Sequence, residues 1–166
     1  MSSFDKENIM IRRAKETDIG RLNELLYQVQ RLHAEKRPDI FKLGAKKYTT
    51  GELSAIIADD MTPIFVYEED GIVMGYAFCI YQLTEENDQL HERKALYVDD
   101  LCVDEPYRRK HIGEKLYDHV LDVARETGCD SVTLNVWSVN PSAEAFYRKM
   151  GMQPLKTYLE TRLDKT

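Results

Sequence analysis

The chain has 166 residues and an acidic balance, with 23 Lys and Arg against 29 Asp and Glu and a formal net charge of -6. This length suits one domain, and a hydrophobic share of 43% is enough for a core. The acidic balance argues against general nucleic-acid binding, which needs a basic face. The longest apolar run, residues 72–81, is too short to span a membrane, and the N-terminus is polar. We therefore expect a soluble cytoplasmic protein with no membrane or nucleic-acid partner.

Three cysteines, Cys79, Cys102 and Cys129, lie in or beside apolar runs. They form no Cys-x-x-Cys motif, so we expect free and mostly buried thiols in a reducing compartment. The sequence has no His-x-x-x-His pair either, and we expect no metal site.

The first half of the chain predicts strands and two helices. Thr17-Asp18 offers a helix cap before apolar residues at helical spacing, and Thr49 with Glu52 fits a capping box. Glu69-Asp70-Gly71 is a hairpin turn signal. In order, we predict a loose N-terminus (1–8), a strand (9–14), a helix (18–33), an irregular or partly helical segment (34–48), a helix (49–58) and two strands (63–68 and 72–81).

The second half predicts alternating strands and helices. Gly128 and Gly151 each follow a helical pattern and are expected to end it, whereas Asn140-Pro141 is typical of a helix start. In order, we predict a strand (91–103), a helix (112–127), a strand (131–137), a helix (140–150) and a last strand (153–163). The whole chain, 1–166, is predicted to be one domain with the order β-α-α-β-β-β-α-β-α-β.

The turn before the third helix concentrates positive charge. Residues 101–113 read Leu-Cys-Val-Asp-Glu-Pro-Tyr-Arg-Arg-Lys-His-Ile-Gly, so a strand passes through a basic turn into a helix. The first backbone N–H groups of a helix are unpaired and lie at the positive end of its dipole, which favours phosphate. A docking site for an anionic group and a solvated run of charge both fit this pattern.

Three motifs follow one another in this half. Residues 97–103 read Tyr-Val-Asp-Asp-Leu-Cys-Val, residues 108–113 read Arg-Arg-Lys-His-Ile-Gly, and residues 140–147 read Asn-Pro-Ser-Ala-Glu-Ala-Phe-Tyr. Together with the element order, they resemble the GNAT superfamily of N-acetyltransferases over about residues 9–163. The resemblance implies an α/β (α+β) fold whose mixed, mostly antiparallel central sheet has helices on both faces.

The resemblance also implies a reaction. An acetyl group would pass from acetyl-CoA to a primary amine of a small molecule, such as a polyamine or another amine metabolite, with CoA as product. A homodimer is plausible on the same ground. Two alternatives stay open: a protein N-terminal or lysine acetyltransferase, and a GNAT-like module that senses CoA without turnover.

The implied cofactor site centres on the basic turn, where backbone N–H groups would hold the CoA pyrophosphate. His111 stands where the family usually has the first Gly of its motif, a residue that permits close backbone approach or a positive φ. This departure bears on CoA binding and not on the fold. The residues implied to bind the cofactor are Leu101, Cys102, Val103, Arg108, Arg109, Lys110, His111, Ile112, Gly113, Glu114, Asn135, Asn140, Ser142 and Tyr147.

Two residues are implied to be catalytic. Asp99 matches a base or water-positioning carboxylate, and Tyr147 matches the acid that protonates the departing thiolate. Asp100 matches a residue that meets a cationic substrate. Adjacent residues of a regular strand point to opposite faces, so both carboxylates can face one site only if the strand carries a bulge. Solvated carboxylates at a strand end are the alternative.

The acceptor side is less defined. The resemblance places the acceptor groove beside the first two helices and the loop before the fourth strand, which implies His33, Tyr81 and Glu85 as substrate-binding residues. An acetyl-cysteine intermediate on Cys102 is the alternative to direct transfer. We favour direct transfer, because nothing near Cys102 in sequence activates its thiol.

Overall fold

The fold is built on a five-stranded sheet with the strand order β1-β2-β3-β4-β5. The structure, a computed structural model, describes residues 8–165. Neighbouring strands from β1 to β4 are antiparallel, and β4 and β5 are parallel. The strands are β1 Ile9–Arg13, β2 Ile64–Glu69, β3 Ile72–Thr84, β4 Arg93–Val103 and β5 Ser131–Leu134; the helices are α1 Ile19–Lys36, α2 Thr50–Ala58, α3 Ile112–Glu126 and α4 Pro141–Lys149.

Apolar side chains cover both faces of the sheet. On one face, Leu22 of α1 and Leu53 of α2 pack with Tyr76 of β3. On the other face, Val120 of α3 packs with Leu96 of β4. The predicted mixed, mostly antiparallel sheet with helices on both faces is therefore confirmed.

The chain forms two compact units, one ending at Asn135 and the other beginning at Val136. The first contains the sheet with α1, α2 and α3. The second contains α4, which begins where predicted: the Asn140 side chain caps it by accepting a hydrogen bond from the Ala143 N–H at 3.4 Å, with Pro141 next. In residues 8–165, no helix is long and apolar enough to cross a membrane.

Most predicted elements occur, with shifted ends. The capping box of Thr49 and Glu52 forms at the start of α2. The loose N-terminus lies, except for residue 8, outside the described residues. Asp18 does not cap α1 as predicted. Its carboxylate instead accepts hydrogen bonds from the Lys15 N–H and from the Arg12 guanidinium. This partly buried cation competes with the first N–H groups of α1 for the carboxylate.

The predicted last strand, 153–163, is wrong for this structure. The segment is assigned to no strand, and the sheet ends at β5. Alternation of apolar and polar residues shows which side chains could share a face. It does not supply the neighbouring strand whose N–H and C=O groups must pair with the backbone. Alternation alone therefore does not establish a strand at residues 153–163.

A buried carboxylate ties α1 to the end of β4. Asp104, 6% exposed, accepts hydrogen bonds from the Arg21 guanidinium and, at 2.8 Å, from the Gln28 amide. Burial by itself would raise the pKa of Asp104, but the bonds from Gln28 and Arg21 outweigh it and lower that pKa. Asp104 is therefore charged at neutral pH and holds the start of the basic turn against α1.

Candidate active site

The edge of β4 is open along its second half. β5 pairs with β4 only from Ala95 to Val98, whereas β4 continues to Val103. Among the described residues, no strand pairs with residues 99–103 on this side. An open strand edge can receive an extended ligand that carries amide groups.

The basic turn follows directly from this edge. A short 3-10 turn, Glu105–Tyr107, leads to Arg108, whose guanidinium donates to the Val103 carbonyl at 3.1 Å. Arg109 and His111 both have a left-handed backbone, with φ of 66° and 61°. His111 is the residue before α3, and the first-turn N–H groups of that helix have no partner within it.

His111 therefore adopts the conformation for which the motif normally has Gly. Its ring nitrogen Nδ1 lies 3.1 Å from Oε2 of Glu114 in the first turn of α3, a contact exposed to solvent. The backbone at this position thus has the positive φ that Gly would permit, although the residue is His.

We expect His111→Gly to raise the free energy of unfolding by about 0.5 kcal/mol. Gly removes the strain of a left-handed backbone in the folded state, and this gain exceeds the loss from the higher conformational entropy of the unfolded chain. Urea denaturation measures this change. Lys110→Gly is the matched control, since Lys110 is not among the described residues with positive φ. It should lower stability by about 0.4–1 kcal/mol, because Gly raises the conformational entropy of the unfolded chain. A loss of stability with His111→Gly equal to that with Lys110→Gly would contradict the strain.

A β-bulge sets the direction of the two carboxylates. In the pairing of β3 with β4, Asp100 lies opposite Phe78 and Val98 lies opposite Cys79, so Asp99 is an extra residue. Phe78 packs on the α1 and α2 face, whereas Cys79 packs on the α3 face. The extra residue shifts the alternation of side chains along β4 by one position. The carboxylates of Asp99 and Asp100 can therefore both be used on one face of the sheet.

Lys47 interacts with both carboxylates, through a hydrogen bond with one and through charge with both. Its Nζ donates to Oδ2 of Asp99 at 3.1 Å. Burial by itself would lower the pKa of Lys47, but the charges of Asp100 and Asp99 outweigh it and raise that pKa. A cation therefore already sits beside both side chains. We call Lys47, Tyr76, Asp99 and Asp100 the carboxylate cluster.

Asp100 is the inner member of the carboxylate cluster. The hydroxyl of the fully buried Tyr76 donates to its Oδ2 at 2.7 Å. Burial raises the pKa of Asp100, the nearby charge of Asp99 adds to this effect, and Lys47 and Tyr76 oppose it. Burial also raises the pKa of Tyr76 well above its usual range. Tyr76 is therefore a neutral donor, and Asp100 binds a proton at higher pH than a solvated Asp.

Cys102 is not a nucleophile at neutral pH. Burial, with the nearby charge of Asp100, raises the pKa of its thiol to about 12, so almost none is thiolate. Cys79, Cys102 and Cys129 are free thiols, and the first two are buried, as predicted. Direct transfer is thus favoured over an acetyl-cysteine intermediate.

Besides Asp100, one predicted substrate-binding residue, His33, is influenced by the charge of Lys47 in the carboxylate cluster. Its pKa is lowered by burial and then by the charge of Lys47, and its ring packs on Phe41 with centroids 5.0 Å apart. Tyr81 is elsewhere: it packs on the α3 face, and its hydroxyl lies 3.3 Å from Oγ1 of Thr127. Glu85 follows the end of β3 in an exposed loop.

The remaining predicted cofactor residues are divided between the two units. Asn135, just after β5, donates to the Tyr97 hydroxyl at 3.2 Å. In the second unit, Oδ1 of Asn140, which caps α4, also accepts a hydrogen bond from the Ser142 hydroxyl at 3.0 Å. Tyr147 lies on α4, half-buried, with its ring 5.1 Å from that of Phe146 in an edge contact.

Sequence reasoning missed Lys47 and Tyr76. Tyr76 gives no sequence signal beyond its place in the apolar run 72–81, because its position opposite Cys102 depends on how β3 aligns with β4. Lys47 gives no sequence signal, since it lies in the irregular segment before α2, whose path depends on tertiary contacts. Among the described residues, no group of three His, Cys, Asp or Glu side chains could hold a metal ion.

Comparison with known proteins identifies the class. A model of the acetyltransferase (GNAT) family matches residues 26–152. The chain therefore belongs to the GNAT family of acetyltransferases, enzymes that are acyl-CoA-dependent N-acetyltransferases.

Two curated relatives match different shares of the chain. Thialysine N-epsilon-acetyltransferase of Bos taurus is 28% identical over 155 residues, which cover 89% of this chain and 85% of that protein. N-alpha-acetyltransferase 50 of Danio rerio is 38% identical over 71 residues, which cover 42% of this chain and 42% of that protein. The chain thus matches less than half the length of the zebrafish relative.

Solved structures agree on the fold. A mutant of the BH1408 protein from Bacillus halodurans has a TM-score of 0.89 and 27% identity, covering 93% of this chain and 99% of that one. An aminoglycoside N-acetyltransferase in complex with CoA has a TM-score of 0.70 and 13% identity, covering 98% and 99%. The second likeness shows the fold alone.

Proposed function

We propose that this protein moves the acetyl group of acetyl-CoA directly to a primary amine of a small molecule, such as a polyamine or another amine metabolite. The observation that carries this proposal is the arrangement on β4. One strand combines an open backbone edge with two carboxylates beside an ammonium group, that of Lys47, which donates a hydrogen bond to Asp99. We further propose a cytoplasmic location and a homodimer.

The backbone after residue 98 fits the donor. Acetyl-CoA would supply the activated acetyl thioester. The open edge at residues 99–103 would pair with the amides of the pantetheine arm, and its N–H groups would stabilise negative charge on the thioester oxygen. The start of α3, flanked by Arg108, Arg109 and Lys110, would hold the pyrophosphate. Asn135, Asn140 and Ser142 are further proposed contacts.

Asp99 is the proposed base. An alkyl amine with a pKa of about 10 is mostly protonated at neutral pH and must lose a proton before it can attack. An incoming ammonium would replace that of Lys47 beside Asp99, which would then accept the proton directly or through one water. Asp100, hydrogen-bonded by Tyr76, would hold the cationic part of the substrate, with His33 nearby.

Tyr147 is the proposed acid. Its hydroxyl would donate a proton to the departing thiolate, which is basic enough to accept it once water is excluded. This role is supported by the match of residues 140–147 to the family helix motif. Tyr81 and Glu85 remain proposed substrate contacts, and only the family resemblance supports them.

A protein substrate is the second candidate. It is favoured by the 38% identity to N-alpha-acetyltransferase 50 of Danio rerio over 71 residues. A small-molecule acceptor is preferred because the bovine relative, whose name specifies thialysine, matches 89% of this chain.

Calorimetry with acetyl-CoA, followed by free-thiol release with a panel of acceptors, tests the proposal. The panel comprises polyamines, lysine, thialysine and peptides with free N-termini. We expect micromolar acetyl-CoA binding and fastest thiol release with a small amine. Preference for the peptides would favour the second candidate. Binding without thiol release from any acceptor would favour a CoA-sensing module, and no binding at millimolar acetyl-CoA would contradict all three.

A further inference from the structure

Lys47 is held in place by the residues that follow it. It lies in the irregular segment between α1 and α2, directly before Tyr48 and Thr49. The ring of Tyr48 stacks on that of Phe78 in β3, with the two centroids 6.0 Å apart. Thr49 caps α2, and its side chain accepts a hydrogen bond from the Glu52 N–H at 3.1 Å. The backbone after Lys47 is therefore anchored to the sheet and to a helix.

The ammonium group of Lys47 occupies the position that an acceptor amine needs. Its Nζ donates to Oδ2 of Asp99, the proposed base, at 3.1 Å. Asp99 is the first residue of β4 beyond the part that pairs with β5, so this contact lies where the open edge begins. The same edge is the proposed site of the acetyl thioester. The amine of Lys47, the proposed base and the proposed donor site therefore meet at one end of the strand.

The side chain of Lys47 is free enough to react. It is 35% exposed, and its four-carbon stem is flexible, so its Nζ can turn from Asp99 towards the open edge. An ion pair with this exposure contributes only about 0–1 kcal/mol to stability. Stability alone therefore does not explain why an ammonium group lies against the proposed base.

We propose that this chain acetylates its own Lys47, which acts as an intramolecular acceptor for acetyl-CoA. Asp99 takes one proton from the ammonium group and leaves a neutral amine beside the open edge. The amine nitrogen forms a bond to the acetyl carbonyl carbon, and the bond between that carbon and the CoA sulfur breaks. A second proton passes from the nitrogen to the departing thiolate. The products are an amide at Lys47, the CoA thiol and a proton on Asp99, which is released to water.

Two features distinguish this reaction from chemical acetylation of surface lysines. The charges of Asp100 and Asp99 raise the pKa of Lys47, so its amine stays protonated at neutral pH unless a neighbouring base removes the proton. A bound donor beside the amine also makes the transfer unimolecular, which raises its rate strongly. Lys46, the adjacent and exposed lysine, meets the same acetyl-CoA in solution and is therefore an internal reference.

Mass spectrometry of the purified chain, incubated with isotopically labelled acetyl-CoA, measures the label on each lysine. We expect Lys47 to gain label roughly 100-fold faster than Lys46, and Asp99→Asn to slow the labelling of Lys47 about 100-fold. Lys47→Arg keeps a cation beside Asp99 and should lose this label. Lys46→Arg is the matched control and should keep it. The labelled fraction at a given time should not change when the chain is diluted, because each copy modifies itself.

Three results would overturn the proposal: equal labelling of Lys47 and Lys46, wild-type labelling of Lys47 in Asp99→Asn, or a rate that rises with chain concentration. The proposal rests on the proposed function, but the two fail differently. Turnover of a free amine with no label on Lys47 would overturn the self-acetylation alone. Label on Lys47 with no turnover of any free acceptor would support it and overturn the small-molecule substrate. No binding of acetyl-CoA would overturn both.

Discussion

Replacing Tyr147 with Phe is expected to lower kcat roughly 100- to 10,000-fold, the usual range for losing a general acid. The departing thiolate would then leave without a proton, while the aromatic ring and its contact with Phe146 remain. The affinity for CoA should stay nearly unchanged, because the hydroxyl is proposed to act only as the thiolate forms. Steady-state kinetics and calorimetry measure the two quantities separately.

Tyr158→Phe is the matched control for this experiment. It removes the same hydroxyl from a residue that is 99% exposed and outside the proposed site, so kcat should not change. Weaker CoA binding with normal kcat in Tyr147→Phe would show that Tyr147 is a cofactor contact rather than the acid.

The second large effect is expected for Asp99→Asn, which should lower kcat/KM at neutral pH by about 100-fold. The amide cannot accept the proton of the bound ammonium, so the variant depends on acceptor that is already neutral. Its rate should therefore rise about tenfold per pH unit until the pH nears the pKa of the free amine, about 10. A pH profile of kcat/KM, measured with one amine, shows this slope.

Asp122→Asn is the corresponding control. Asp122 pairs with Arg125 on the exposed surface of α3, so its loss should leave the pH profile unchanged. If Asp99→Asn gives the wild-type profile too, Asp99 is not the base and the carboxylate cluster only binds the substrate.

The periodic elements could be predicted from the sequence because their signals are local. The capping box at Thr49 and Glu52, the Asn140-Pro141 start of α4 and the apolar face of α3 each depend on residues within a few positions. The basic turn could also be predicted. Gly at the motif position held by His111 would permit close backbone approach or a positive φ, and His111 has a positive φ in the structure.

The geometry of the carboxylate cluster could not be predicted from this sequence alone. A bulge at Asp99 depends on how β3 and β4 align, which is a property of two strands rather than of either one. Lys47 reaches the cluster from an irregular segment far away in sequence. The missing sixth strand has the same origin, because residues 153–163 carry strand alternation and the neighbour they need is a long-range feature.

The hydrogen bonds at Asp104 make helix α1 and the turn that follows β4 depend on each other. Arg21 and Gln28 of α1 hold the carboxylate at which β4 turns towards α3, and Arg21 also donates to the Val73 carbonyl at 3.0 Å. A chimaera that receives its first helix from another family member would leave Asp104 buried and uncompensated unless both donors came with it. Replacing α1 alone should therefore destabilise the turn after β4, so the helix and the residue that opens the basic turn must be inherited together.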